Sequence, residues 1–110
     1  MHISTTFDIP GYTVVKHCGV ARGVIVRTPT ISQGFMGAMK SVVGGNIQAY
    51  SEMCDQARAH ATELMTEDAK RLGANAVVGF RYDASSITGQ VNGTEVVAYG
   101  TAVVIKEKSA

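Results

Sequence analysis

The chain has 110 residues, of which 45% are hydrophobic and 17% charged, with a net charge of +1. Such a chain makes a single domain with a real core, and a charged share below the usual roughly 25% fits a protein that buries extra surface by association. Scattered Lys and Arg, no Trp and no aromatic cluster exclude the basic patch or stacking platform of a nucleic-acid binder, and also the basic surface that acidic membranes select.

The opening MHISTTFDIPGY carries neither a basic nor an apolar leader segment, and no apolar run approaches the roughly 20 residues that span a bilayer, so the expected compartment is the cytoplasm. Residues 3–6 (ISTT) form a short β-prone start, and Asp8-Ile9-Pro10-Gly11 reads as a turn. A long strand is expected over about Tyr12–Val26. Its side-chain sets are Val14, Lys16, Cys18, Val20, Arg22, Val24 and Val15, His17, Gly19, Ala21, Gly23, Ile25. The second set is small in its middle, which admits a close neighbour, and Gly19 or Gly23 is a candidate bulge. Thr28-Pro29 ends the strand. A first helix is expected over roughly Ser32–Val43, with Phe35, Met36, Met39, Val42 and Val43 on one face. Gly44-Gly45 stops it, and Asn46 caps the next helix.

The second helix, about Ile47–Leu72, places Ile47, Tyr50, Cys54, Ala57, Ala61, Leu64, Met65 and Leu72 in one apolar stripe, with Glu52, Asp55, Gln56, Glu63 and Lys70 off it. At 1.5 Å per residue it is roughly 40 Å long, more than one small domain covers alone. Gly73 supplies its stop. The last third reads as a hairpin. One arm starts at Ala76 and loosens near Ser85-Ser86 and Gly89, Asn92-Gly93 is a tight-turn signature, and the other arm runs from about Thr94 to Ile105. The tail from Lys106 is expected to fray. The fold class is α+β, a two-layer β-α-β-β sandwich with an antiparallel sheet, in one domain over residues 1–110.

The strands are apolar on both faces. Around Ala76–Asp83, Val78, Phe80 and Tyr82 share one side and Val77 and Gly79 the other; around Glu95–Ile105, Val97, Tyr99, Val103 and Ile105 oppose Val96, Ala98, Ala102 and Val104. A sheet with one wet face alternates apolar and polar. The face without helices is therefore expected to meet another copy of the chain.

Candidate chemistry is sparse. His17 and Cys18 are strand neighbours and point to opposite faces, while Cys54 and His60 sit about 120° apart and about 9 Å along one helix. No CxxC, HxxxH or carboxylate cluster has ligand spacing. Cys54 lies in the helix stripe as a packing residue, and Glu67-Asp68 and Asp83 read as surface carboxylates, so no catalytic residue is assigned and the chain is not expected to be an enzyme. The run GFMGAMKSVVGGN matches neither phosphate-binding glycine pattern and reads as a helix–helix turn.

STT near the start, HCGVARG in the long strand, VVGGNIQAY at the helix junction, RLGANAVVGFRYD after the long helix and GTAV in the last strand span nearly the whole chain in order. With these segments the chain resembles the YbjQ-like family of small bacterial proteins, which carries a heavy-metal-binding description. The resemblance implies a subunit similar to that of dodecin, assembled into a ring, with pentamers the expected form. It also places Cys18, in the CGV motif, where a metal ligand would stand; His17 is its neighbour. The expected function is a non-enzymatic ring, a homo-oligomer that holds a small ligand or serves as a scaffold. The alternatives are a heavy-metal-binding protein using Cys18 across subunits, and an enzyme whose site is completed at the subunit interface by Cys18, His17 or Asp83.

Overall fold

The computed structural model describes residues 1–27, 47–87 and 93–109. The expected first helix over Ser32–Val43, its Gly44-Gly45-Asn46 junction and Asn92 lie outside the described residues. The described elements are β1 (His2–Ile3), β2 (Tyr12–Arg27), α1 (Ile47–Arg71), β3 (Ala76–Ile87) and β4 (Gly93–Glu107). They make an α+β fold with one four-stranded sheet in the order β1-β3-β4-β2. The sheet is mixed and not antiparallel throughout, because β1 pairs with β3 in parallel while β3–β4 and β4–β2 are antiparallel. No helix among the described residues is long and apolar enough to cross a membrane.

Helix α1 lies against the sheet through small residues. Ala57, Ala61, Met65 and Ala69 pack onto Ala21, Ile25, Val96, Ala98 and Ala102. Backbone meets backbone at Gly23, where a Cβ would fall against Ala61 O, 2.5 Å from Met65 N and 2.8 Å from Leu64 Cβ. The helix ends in a Schellman motif: Gly73 sits at φ +85°, its N–H donates to Lys70 O at 3.0 Å, and Ala74 N–H donates to Ala69 O at 3.0 Å. Leu72, expected in the buried stripe, falls beyond the helix and is exposed, whereas Ala69 is fully buried.

Bulges change the faces that strict alternation predicts. Register shifts between Val14 and Lys16 and between His17 and Gly19 insert one extra residue at each point of β2. His17 therefore lies opposite Val103, while Ala21, Gly23 and Ile25 lie opposite Gly100, Ala98 and Val96 on the helix side. In β3 the shift between Val78 and Arg81 sets Gly79 and Phe80 against Gly100 alone. Gly79 takes φ +62°, a conformation costly for any residue with a Cβ. Val78 thus faces away from the helix with Val103, and Phe80 packs on the helix side, so the expected grouping of Val78 with Phe80 and Tyr82 is corrected.

The hairpin also differs from its turn signature. Gly93, expected within the tight turn, opens β4 opposite Ile87. Strand β3 continues through Ser85 and Ser86, and Lys106 and Glu107, expected to fray, pair with Thr13 and Tyr12.

At the other end, Asn75 stands in for a strand. Its side-chain amide donates to Ile105 O at 3.0 Å and its Oδ1 accepts from Ile105 N–H at 2.8 Å, the pairing a backbone would make. Asn75→Ala leaves both Ile105 groups without that partner and is expected to cost about 1–3 kcal/mol in urea unfolding. An unchanged midpoint would show that water replaces the amide at no cost.

Candidate functional site

The residues that carry chemistry do not converge within one copy. Cys18 occupies the β2 bulge, half-buried and packed against the helix-side core, while exposed His17 lies opposite Val103 on the other face. The bulge ends at Gly19, whose φ of +116° suits glycine. Cys54 is half-buried on α1 and His60, six residues on, is exposed. Asp83 lies opposite Val97 on the face away from the helix. Every His, Cys, Asp and Glu of the sequence lies among the described residues, and no three of them come together as metal ligands. A heavy metal favours several soft or imidazole donors at one point. The residues of a single copy do not fit that requirement.

Asp68 does structural work that its sequence context did not disclose. Its carboxylate accepts from the backbone N–H of Arg22 at 3.0 Å and from the Arg71 guanidinium at 3.0 Å, tying α1 to the outer edge of β2. Near Tyr82, the Thr62 hydroxyl and the Tyr82 hydroxyl are 2.7 Å apart, and the Arg58 guanidinium lies 5.6 Å from the ring centroid. These contacts fasten the helix to β3. A groove of about 340 Å³ near the chain start is lined by His2, Tyr12, Lys70, Asn75 and Ile105. The His2 and Tyr12 rings meet there at 4.8 Å with their planes tilted by 55°, and the Asn75 amide is already committed to Ile105.

The feature that most needs an explanation is the sheet face away from α1. One end is closed by the chain itself: Ile9, together with Tyr12 and Val14 of β2 in the same sheet, packs against Ala76, Val78, Val103 and Ile105. This corrects the expectation that the whole face awaits a partner. Among the described residues nothing covers the remainder. Val20 is 69% exposed, Val26 52%, Val24 44% and Tyr99 38%, with half-buried Val97 between them. Cross-strand pairing joins Val24 to Val97 and Arg22 to Tyr99, so these side chains form a contiguous surface. Sequence periodicity pointed to that surface, and only the bulges and the Ile9 turn show where it stops.

A family model described as "Putative heavy-metal-binding" matches residues 1–106. A UPF0145 protein of Legionella pneumophila is 52% identical over 105 residues, covering 96% of this chain and 98% of that protein. A UPF0145 protein of Francisella tularensis is 49% identical over 105 residues, covering 94% and 99%. Among solved structures, a Pediococcus pentosaceus protein of unknown function from the DUF74 family superposes with a TM-score of 0.63 at 20% identity, covering 96% of this chain and 98% of that one. That likeness concerns the fold.

Proposed function

The chain belongs to the YbjQ-like, UPF0145 family, and from that premise we propose that it works as a homo-oligomeric ring, expected to be a pentamer, that binds a small ligand or scaffolds other components without catalysis. The observation that carries the reading is the open apolar surface of Val20, Val24, Val26, Val97 and Tyr99 on a sheet whose opposite face is already covered by α1. Contiguous apolar surface of this kind marks a contact site. A dodecin-like arrangement would place ligand pockets between subunits.

Native mass spectrometry of untagged protein, purified without chelator or added metal, tests the reading. A ring mass is expected, and a reproducible excess over it would weigh the bound ligand. A monomer at micromolar concentration would overturn the proposal. Val97→Asp sets a carboxylate opposite Asp83 within the open surface and should give a folded monomer, as judged by circular dichroism and native mass. Full assembly of that variant would remove the surface from the interface.

The second reading is a heavy-metal site built from Cys18 of several copies, supported by the family description and by the placement of Cys18 at a bulge. It predicts that Cys18→Ser abolishes cadmium retention measured by elemental analysis after gel filtration. Equal retention by the wild type and the variant would eliminate it. An enzyme completed at the interface would need Cys18, His17 or Asp83 to meet groups from a neighbour, and nothing in one copy orients them for that.

A further inference from the structure

The two edges of the sheet, β2 on one side and β3 beyond the short β1 on the other, are protected unequally, and the pattern points to how copies join. An exposed strand edge pairs readily with another chain, and proteins blunt such edges with bulges, charges or covering segments. On β2 the first half is interrupted by the two bulges around Val15 and Cys18 and carries Lys16. The N–H of Arg22, directed off the edge, is taken by Asp68. By strand alternation the N–H groups of Val24 and Val26 point the same way, and among the described residues nothing covers them.

On the opposite side of the sheet, the N-terminal segment covers the first half of β3. Ser4 N–H donates to Val77 O, Gly79 N–H to Thr6 O and Phe80 N–H to Ser4 O, at 2.9, 2.9 and 3.0 Å. Beyond Phe80 the outward N–H groups are those of Tyr82, Ala84 and Ser86. The two bare stretches lie level with each other, since Val24 and Asp83 both pair with Val97, and Val26 and Ser85 both pair with Glu95. Their flanks also match in charge. Arg22 at one sheet edge and Asp83 at the other, beyond the reach of β1, share the open face, and the ion pair found among the described residues is a different one, Arg71–Asp68.

We infer that Val24–Arg27 of one copy pairs, strand to strand, with Tyr82–Ser86 of the next. The contact is head-to-tail, which repeats around a ring when the rotation closes. It also shields Val24 and Val26 at the margin of the open face. The inference rests on the ring reading above and specifies its joint.

The test combines native mass with residue-resolved amide exchange and the variant Val24→Pro. Proline there removes an outward N–H and no bond to β4. In an assembled wild type, the amides of Val24, Val26, Tyr82, Ala84 and Ser86 should exchange roughly tenfold or more slowly than after dilution to monomer. Val24→Pro should be folded and monomeric, whereas Val24→Thr should assemble. A wild-type ring whose five amides exchange equally fast before and after dilution overturns the pairing and leaves the ring reading standing. A wild-type monomer overturns both. Should Val24→Pro misfold, the wild-type amides decide the matter alone.

Discussion

Gly23→Ala is expected to destabilise the protein by about 3 kcal/mol or more, at or beyond the top of the usual range for overpacking. The added methyl would lie against Ala61 O and 2.5 Å from Met65 N, both backbone atoms of α1. Neither can swing aside as a side chain would. The helix must lift as a body, and that loosens Ala57, Ala61 and Ala69 from Ala21, Ala98 and Ala102 along the same seam. Against a total stability of roughly 5–15 kcal/mol the loss is severe. Gly23→Val should leave little folded protein. Urea unfolding followed by helical circular dichroism measures the effect. A midpoint for Gly23→Ala equal to that of the wild type would mean that α1 does not rest on β2 at this point. Gly11→Ala is the useful comparison: nothing lies within 4 Å of its added Cβ, so its cost reports only the strain of φ +83°.

The second large effect is expected at Met65, which is fully buried at the centre of the helix–sheet contact. Met65→Ala should cost about 2–5 kcal/mol, depending on how far the seam collapses into the space. Its neighbours Ala61, Ala69 and Ala98 are too short to fill that space, which argues for the upper part of the range. Leu72→Ala removes a side chain of similar size, but Leu72 is 40% exposed, and its cost should be on the order of 1 kcal/mol. Equal losses at Met65 and Leu72 would show that the helix is rotated relative to the packing described.

That contrast shows how far sequence reasoning reaches. Both residues fall in the same apolar stripe when α1 is drawn as a uniform helix to Leu72. The Schellman turn at Gly73 takes Leu72 out of the helix, and the stripe ends one turn earlier, at Ala69. Periodicity identified the face, but it did not show where the backbone leaves the helical path.

The strands follow the same division. The even–odd partition of β4 is read correctly from sequence: Val96, Ala98 and Ala102 meet the helix side, and Val103 and Ile105 the other. In β2 the two bulges cancel, so Val14, Val20, Arg22 and Val24 share one face and Ala21, Gly23 and Ile25 the other as alternation predicts, and only Lys16–Cys18 between the bulges is displaced. In β3 the single bulge at Gly79 moves Phe80 and Tyr82 to the face opposite Val78. Gly19 was recognisable as a bulge candidate because glycine tolerates the backbone angles required. Val15 carried no such mark.

The candidate site was legible only as an excess of apolar residues. Alternation that is apolar on both faces signals surface beyond what one helical layer covers, and that signal is local to each strand. Three facts are not local: that Ile9, with Tyr12 and Val14 of β2, closes one end of the second face, that among the described residues the N-terminal segment protects β3 only as far as Phe80, and that Asp68 reaches across to Arg22. Residues far apart in the chain make these contacts, and their side chains would satisfy many other partners equally well. The sequence by itself determined the family, the α+β class, the long helix and its buried stripe, because each depends on residue identities and short-range period. The tertiary structure alone decided the face of each strand segment, the extent of the open surface and the two bare edges, because these depend on register, and register is set by long-range pairing.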